Sequence, residues 1–219
     1  FESNRFNQRA EGIGAEHYLT ASVGIDREDY ALDSAAFAAR ARRSFDELER
    51  RLGAEPGVQH VAFASRLPVM DQFKYGIAVD TSTGVPATGL RTSTLVQVSR
   101  GFFGAFGTSV IAGRDFEPPD FGTGRVLIVN EAFARHVLGE RNPIGQRIRF
   151  LDGEEMAGIG DEWYEVVGMV KNFGWQLPQP HEQSAMYRPV LPTPNTRMSL
   201  AVRVSNPEDF ATRLRTVAA

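Results

Sequence analysis

The sequence contains no cysteine, which removes disulfides, thiol nucleophiles and zinc–thiolate sites at once. The compartment stays open, because exported proteins also do without cysteine. A basic excess is missing too. The 24 Lys and Arg stand against 27 Asp and Glu, for a net charge of −3, whereas a nucleic-acid binder carries a positive balance. No apolar run reaches the ~18 residues that cross a bilayer as a helix, and no signal peptide is present. Internal repeats and low-complexity tracts are absent. What remains is a globular composition: 42% hydrophobic and 23% charged residues over 219 positions, enough for one large domain or two small ones. The chain begins at Phe1 and stops at Ala219 inside an expected helix, so it reads as a piece of a longer protein.

The most strongly specified stretch runs from Arg125 to Phe150. Val126 to Val129 is a short, β-branched apolar run that predicts a buried strand. Asn130 follows where a helix N-cap belongs. Phe133, Ala134, Val137 and Leu138 make one apolar stripe, with Glu131 and Arg135 as an i,i+4 pair on the other side. Gly139 is placed to end the helix in a left-handed conformation. Asn142-Pro143-Ile144-Gly145 is a turn, and Arg147 to Phe150 alternates as a half-buried strand.

Elsewhere the periodicities are as clear. Residues 1–17 are polar and patternless, a lead-in. Tyr18 to Ile25 predicts a strand, Asp33-Ser34 a cap, and the helix after it runs to about Leu52 with Phe37, Ala41, Phe45, Leu48 and Leu52 on one face. Arg40, Arg43, Arg50, Asp46, Glu47 and Glu49 lie largely off that face, as on a solvated surface or, as the lesser reading, a salt-sensitive contact surface in an assembly. Val58 to Ala64 completes a β-α-β unit. From Arg66 to about Glu162 Pro, Gly and Thr punctuate short strands near 76–80, 95–98, 126–129 and 146–150, with a small helix at 101–106. Leu151 to Asp161 suggests a hairpin loop. Trp163 to Val170 is a nearly continuous apolar strand, fit for the middle of a sheet. Tyr187 to Val190 suggests an edge strand. Ser199 to Ser205 alternates, and Asn206-Pro207-Glu208-Asp209 opens a last helix with Phe210, Leu214 and Val217 in line.

Candidate chemistries are thin. His17, His60, His136 and His181 are scattered, without zinc-ligand spacing. Asp152, Glu154, Glu155, Asp161 and Glu162 form an acidic loop without the spacing of a calcium loop. Ser65, Ser99 and Ser109 have no nucleophile-turn motif. Gly101-Phe-Phe-Gly104 and Gly122-Thr-Gly124 lack the Lys-Ser/Thr of a phosphate loop. Phe102, Phe103, Phe106, Phe116 and Phe121 suit either core packing or an apolar pocket. Asn172-Phe173-Gly174-Trp175 places aromatics in a turn, buried as a cap on the sheet or exposed as a contact. The pattern predicts no catalytic, cofactor-binding or metal-binding residue and no cofactor.

Four stretches in sequence order resemble the periplasmic core domain of MacB-type, FtsX-like ABC transporter permeases. They are Pro56-Gly57-Val58 through Leu67-Pro68; Val98-Ser99-Arg100-Gly101-Phe102-Phe103 with Ala112-Gly113-Arg114-Asp115-Phe116; Val129 to Arg135 with Asn142 to Ile148; and Trp163 to Val170. The 151–161 loop and residues 179–195 depart from that pattern, so no binding residue is carried over.

The patterns of 18–64 and 199–219 are complementary, which predicts one shared sheet with both helices on one side. The expected fold is α+β in two subdomains. Residues 18–65 plus 163–219 make a discontinuous, ferredoxin-like α/β sandwich, which the resemblance implies is membrane-proximal and porter-like. Residues 66–162 make an inserted, β-rich subdomain, distal by the same resemblance. The resemblance implies a transmembrane helix before residues 1–17. It also implies a non-enzymatic, extracytoplasmic role at the inner membrane, coupling helix motion to a partner or cargo. The implied partners are the rest of the permease chain, a cytoplasmic ATPase subunit or domain, and a periplasmic adaptor or substrate protein, with the permease a dimer. A small-ligand or peptide binding module of the cell envelope is the alternative, and an enzyme of unrecognised type a third reading.

Overall fold

The computed structural model describes residues 4–5, 17–24, 34–68, 70, 73–80, 82, 91–139, 141–151, 162–173, 183–190 and 198–217. Along the chain come β1 (Asn4–Arg5), β2 (Tyr18–Val23), α1 (Ser34–Gly53), β3 (Val58–Ala64), β4 (Lys74–Val79), β5 (Arg91–Val98), α2 (Phe102–Ala105) and β6 (Val110–Gly113). They continue with α3 (Asp120–Thr123), β7 (Val126–Asn130), α4 (Glu131–Leu138), β8 (Arg147–Phe150), β9 (Trp163–Val170), β10 (Ala185–Pro189), β11 (Met198–Val204) and α5 (Pro207–Val217). The chain divides into two units: Phe1–Val69, Val98–Gly107 and Val190–Ala219 form one, Met70–Gln97 and Thr108–Pro189 the other.

In the first unit β11 lies between β2 and β3, antiparallel to both, with Leu200 opposite Ala21 and Phe63. β2 and β3 are therefore parallel, and α1 joins them across the sheet as a split β-α-β. Alternation sorts the residues of β11 to two faces. Met198, Leu200, Val202 and Val204 meet Phe45 and Leu52 of α1 and Phe210 of α5 in one core. Both helices thus cover one face, as the complementary patterns predict. The expected stripe of α1 is its buried side, with Phe37, Ala41, Phe45 and Leu52 enclosed. On its outer side Arg50 and Arg51 hydrogen-bond Glu47 at 2.7–2.8 Å and pull that exposed carboxyl down to about 2. Such surface pairing adds little net stability. The side chains of Leu214 and Val217 and residue Asp33 lie outside the described residues.

α2 covers the opposite face. Tyr18 stacks on Phe106 at 5.3 Å between ring centroids and donates its hydroxyl to the Ala105 carbonyl at 2.6 Å. Ser99 Oγ accepts the Phe63 amide at 2.8 Å, which ties the approach to α2 to β3.

The second unit is a closed ring of six strands in the order β5-β10-β7-β9-β8-β4, with β4 pairing back to β5. β7 and β9 are parallel, and β4–β5, β4–β8, β8–β9 and β10–β7 are antiparallel. These directions make β5 and β10 parallel, and the Thr94 amide bonds the Ser184 carbonyl at 3.1 Å. Inward positions such as Ile77, Leu95, Val129, Ile148, Val166 and Met186 share one core with Phe133, Val137 and Leu138 of α4. The helix plugs the barrel.

β6 joins β9 on the edge that β8 leaves free. At the register shift between Leu127 and Ile128 against β9, the Val167 carbonyl accepts the Arg114 amide at 3.0 Å. A Cβ on Gly168 would stand 2.3 Å from the Arg114 carbonyl oxygen, and one on Gly113 2.2 Å from that of Val167. Only glycine permits this approach.

Three expectations need correction. Trp163 to Val170 is an interior strand, but of the barrel rather than of the first sheet, because both its edges pair with β7, β8 and β6. Residues 163–189 therefore belong with the second unit and 98–107 with the first. The strand at 185–189 is not an edge: β10 lies between β5 and β7. Its ladder to β7 uses Met186 and Tyr187 and leaves Pro189, which has no amide proton, at the strand end. The lead-in is not wholly patternless either, since Asn4 and Arg5 pair with Thr20 and Leu19.

Phe133 is fully buried in the plug. Phe133→Ala is expected to lower unfolding free energy by about 3–5 kcal/mol. A urea midpoint that barely moves would show that α4 does not seal the barrel.

Candidate functional site

The sequence-level candidates do not converge. His17, His60 and His136 are each exposed on separate elements. No group of three or more His, Cys, Asp or Glu able to hold a metal occurs among the described residues. Ser99 spends its hydroxyl on the Phe63 amide and the Arg100 carbonyl. Of the acidic loop, residues 152–161 lie outside the described residues, while Glu162 pairs with Arg125. The aromatics once available for a shared pocket are divided. Phe102, Phe103 and Phe106 belong to the first unit, whereas Phe116 and Phe121 form an edge-to-face pair in the second. Phe173 is half-buried and stacks on Tyr187 at 5.8 Å; Gly174 and Trp175 lie outside the described residues.

What does converge is a set of polar side chains at the end of the barrel where α4 starts. The apolar run of β7 is buried and ends at Asn130, whose extended backbone (φ −96, ψ 170) turns the chain into α4. Its Oδ1 accepts the Phe133 amide at 2.9 Å and the Ala185 amide at 3.0 Å. Its Nδ2 donates to the Gln183 carbonyl at 2.6 Å. Beside it Glu131 Oε2 accepts the Asn172 amide at 3.2 Å, and Asn172 Oδ1 accepts the Ala132 amide at 2.9 Å. Three segments are tied at one point: the β7–α4 junction, the chain leaving β9 and the chain entering β10. The cap at Asn130 is legible in the sequence. Asn172 is not, because its partner amide is 40 residues away.

After α4, Gly139 takes a left-handed conformation (φ 66) and Asn142 Oδ1 accepts the Ile144 amide at 3.1 Å. The Gly145 amide then bonds the Val166 carbonyl at 2.8 Å, aligning β8 with β9.

Two further polar groupings mark the outside of this unit. Arg147 and Arg149 place their guanidinium carbons 5.5 and 5.2 Å from the Trp163 ring, an arrangement of aromatic and arginine common at contact surfaces. Arg114 binds Asp120 through two nitrogens at 2.6 and 3.2 Å, and Asp120 also accepts the Glu117 amide at 2.8 Å. The Arg114 hydrogen bond holds the Asp120 carboxyl below its ordinary range, against the opposing effect of burial. These groupings orient segments and offer contacts. None sets a nucleophile against a base.

The fold and these clamps define a two-unit α+β domain. A family model described as the MacB-like periplasmic core domain matches residues 13–216, and the chain belongs to that family. It is thus an extracytoplasmic domain of a MacB-like ABC transporter permease. Among solved structures it is similar to the periplasmic region of MacB from Actinobacillus actinomycetemcomitans, at 14% identity and a TM-score of 0.55, covering 96% of this chain and 84% of that one. It is also similar to a domain of a putative permease from Porphyromonas gingivalis, at 16% identity and a TM-score of 0.53, covering 77% and 67%. The extracellular domain of the ABC-type transporter YknZ from Gram-positive bacteria matches at 17% identity and a TM-score of 0.48, covering 76% and 75%. No curated protein sequence matches the chain significantly. No described helix is long and apolar enough to cross a membrane.

Asn130→Ala strands the Ala185 amide and the Gln183 carbonyl as well as uncapping α4, so a loss of about 2–4 kcal/mol is expected. Asn130→Asp keeps the acceptor and loses the donor, and its urea midpoint should fall between the two. A midpoint equal to that of Ala would mean that the acceptor contributes nothing.

Asp120 yields a pH dependence. Its folded value lies below the unfolded value of about 3.9, so the unfolded chain binds more protons in the interval between them. Stability from the pair is therefore present above that interval and lost as pH falls through it. Denaturation midpoints of wild type and Asp120→Asn, compared from about pH 6 to about pH 3, should converge as the medium acidifies. A constant gap contradicts the pairing.

Proposed function

We propose that this domain couples motion of its permease's transmembrane helices to an extracytoplasmic partner or cargo, and that it catalyses nothing itself. The observation that carries the reading is the division of the chain. Residues 1–69, 98–107 and 190–219 fall in the first unit, while the two segments 70–97 and 108–189, both between its first and last parts, form a plugged barrel. In this reading the first unit is the membrane-proximal, porter-like part that receives helix motion, and the barrel is the distal part that meets the partner. A barrel without free hydrogen-bonding edges around its ring moves as a body, because changing its shape breaks ladder bonds. The family relationship supports the remaining parts of the proposal: a cytoplasmic ATPase as the energy source, a permease dimer in the inner membrane, export as the process, and a periplasmic adaptor or substrate protein as the outside partner.

The test uses the whole permease with its ATPase in proteoliposomes, carrying one spin label at position 43 in the first unit and one at position 135 in the second. The expected result is a distance distribution that changes between nucleotide-free and ATP-trapped states. The same distribution in both states, with transport intact, rejects coupling through this domain. A turnover of ATP, ester or peptide by the purified chain, abolished by one substitution, rejects the non-catalytic role.

A further inference from the structure

We infer that Arg203, with His60 beside it, forms a seat for a phosphate-class oxyanion on the face of the first unit that carries α2. The inference stands apart from the coupling reading and rests on four observations. First, Tyr18, Arg203 and His60 are direct cross-strand partners on β2, β11 and β3, so their side chains share one face about 5 Å apart. Second, the base of the arginine is fixed. Its guanidinium lies 6.0 Å from the Tyr18 ring centroid, and Tyr18 is held by its bond to Ala105 and its stack on Phe106.

Third, the cation has no counter-charge. Arg203 Nε is buried without an acceptor among the described residues, and the residue as a whole is half-buried. No ion pair reaches it among the described residues. The positions that share this face, 18, 20 and 22 on β2, 60, 62 and 64 on β3, and 199 and 201 on β11, include no Asp or Glu. A half-buried charge without a partner is uncommon in a folded chain. Fourth, the chain leaving α2 passes beside the guanidinium as Gly107 (φ 69). A Cβ there would stand 4.0 Å from Arg203 Nη1, so no side chain of that residue covers the site.

The chemistry follows from the donors. A guanidinium offers a planar fork that takes two oxygens of one anion. His60, exposed on the neighbouring strand, offers an N–H from a different direction. A tetrahedral oxyanion satisfies both donors together, which a planar carboxylate does less well. The chain carries a net charge of −3, so general attraction does not draw anions to it, and binding has to be local. The competing account makes Arg203 a cover for Tyr18 whose hydrated tip binds nothing.

Titration of inorganic phosphate into the isotope-labelled 219-residue chain decides between them. The expected result is saturable shifts at the Arg203 side chain, His60 and the Gly107 amide, with a Kd on the order of 1–10 mM. Arg203→Gln should weaken binding by about tenfold or more. Arg203→Lys, which keeps the charge without the fork, should fall between, and His60→Gln should weaken it severalfold. Arg43→Gln removes the same charge from exposed α1 and should change nothing. Shifts that rise linearly in the wild type overturn the inference, as does a wild-type response in folded Arg203→Gln. If Arg203→Gln does not fold, unchanged affinity in both Arg203→Lys and His60→Gln overturns it equally. Phosphatidylcholine vesicles with and without phosphatidic acid separate the sources. Binding to the acidic vesicles that Arg203→Gln abolishes assigns a lipid headgroup, and a response to free phosphate alone assigns a soluble anion. Either upholds the seat.

Discussion

The second unit depends on one buried amide side chain. Asn130 is 3% exposed and has three hydrogen-bonding functions in use, two accepting and one donating. It ends β7, starts α4 and fixes where β10 begins. Each role alone is ordinary. Their combination means that the plug cannot shift without freeing the entry to β10, because all are bonded to one rigid planar group. Glu131 and Asn172 extend this tie to the chain leaving β9. Three of the six strands are thereby indexed to the first turn of one short helix.

Closure of the barrel follows the same economy. A sheet with free edges exposes unpaired backbone groups, and the six-strand ring removes them by bringing β5 back to β4. The ring holds two parallel pairs, β7–β9 and β5–β10, among antiparallel neighbours, and the first of them carries a register shift beside Gly168. The glycine lets the Arg114 backbone cross closely at this point. Arg114 then reaches Asp120, so the same segment that crosses the strand is pinned by charge.

The first unit is built differently. Its sheet is covered by α1 and α5 on one face and by α2 on the other, and Tyr18 joins the last of these through both its ring and its hydroxyl. Close-packed interiors of this kind deform little.

Local order was legible in the residues themselves. The cap at Asn130, the left-handed Gly139, the turn at 142–145 and the apolar stripe of α1 all depend on neighbours within about one or two turns, and they stand where the spacing puts them. The alternation of β11 likewise determined which of its residues face α1 and α5. Pairing across the chain was legible only where complementary patterns brought 18–64 and 199–205 into one sheet. Trp163 to Val170 has the same apolar run whether it enters the first sheet or the barrel, since hydrophobic continuity marks burial on both faces and says nothing about which strands supply it. Pro189 suggested an edge because the loss of an amide is a local fact, while the strand's place between β5 and β7 is a tertiary one. The tie from Asn172 to Ala132 and the row of Tyr18, Arg203 and His60 join residues far apart in sequence. No periodicity encodes such meetings; only the closed ring and the split β-α-β bring them about.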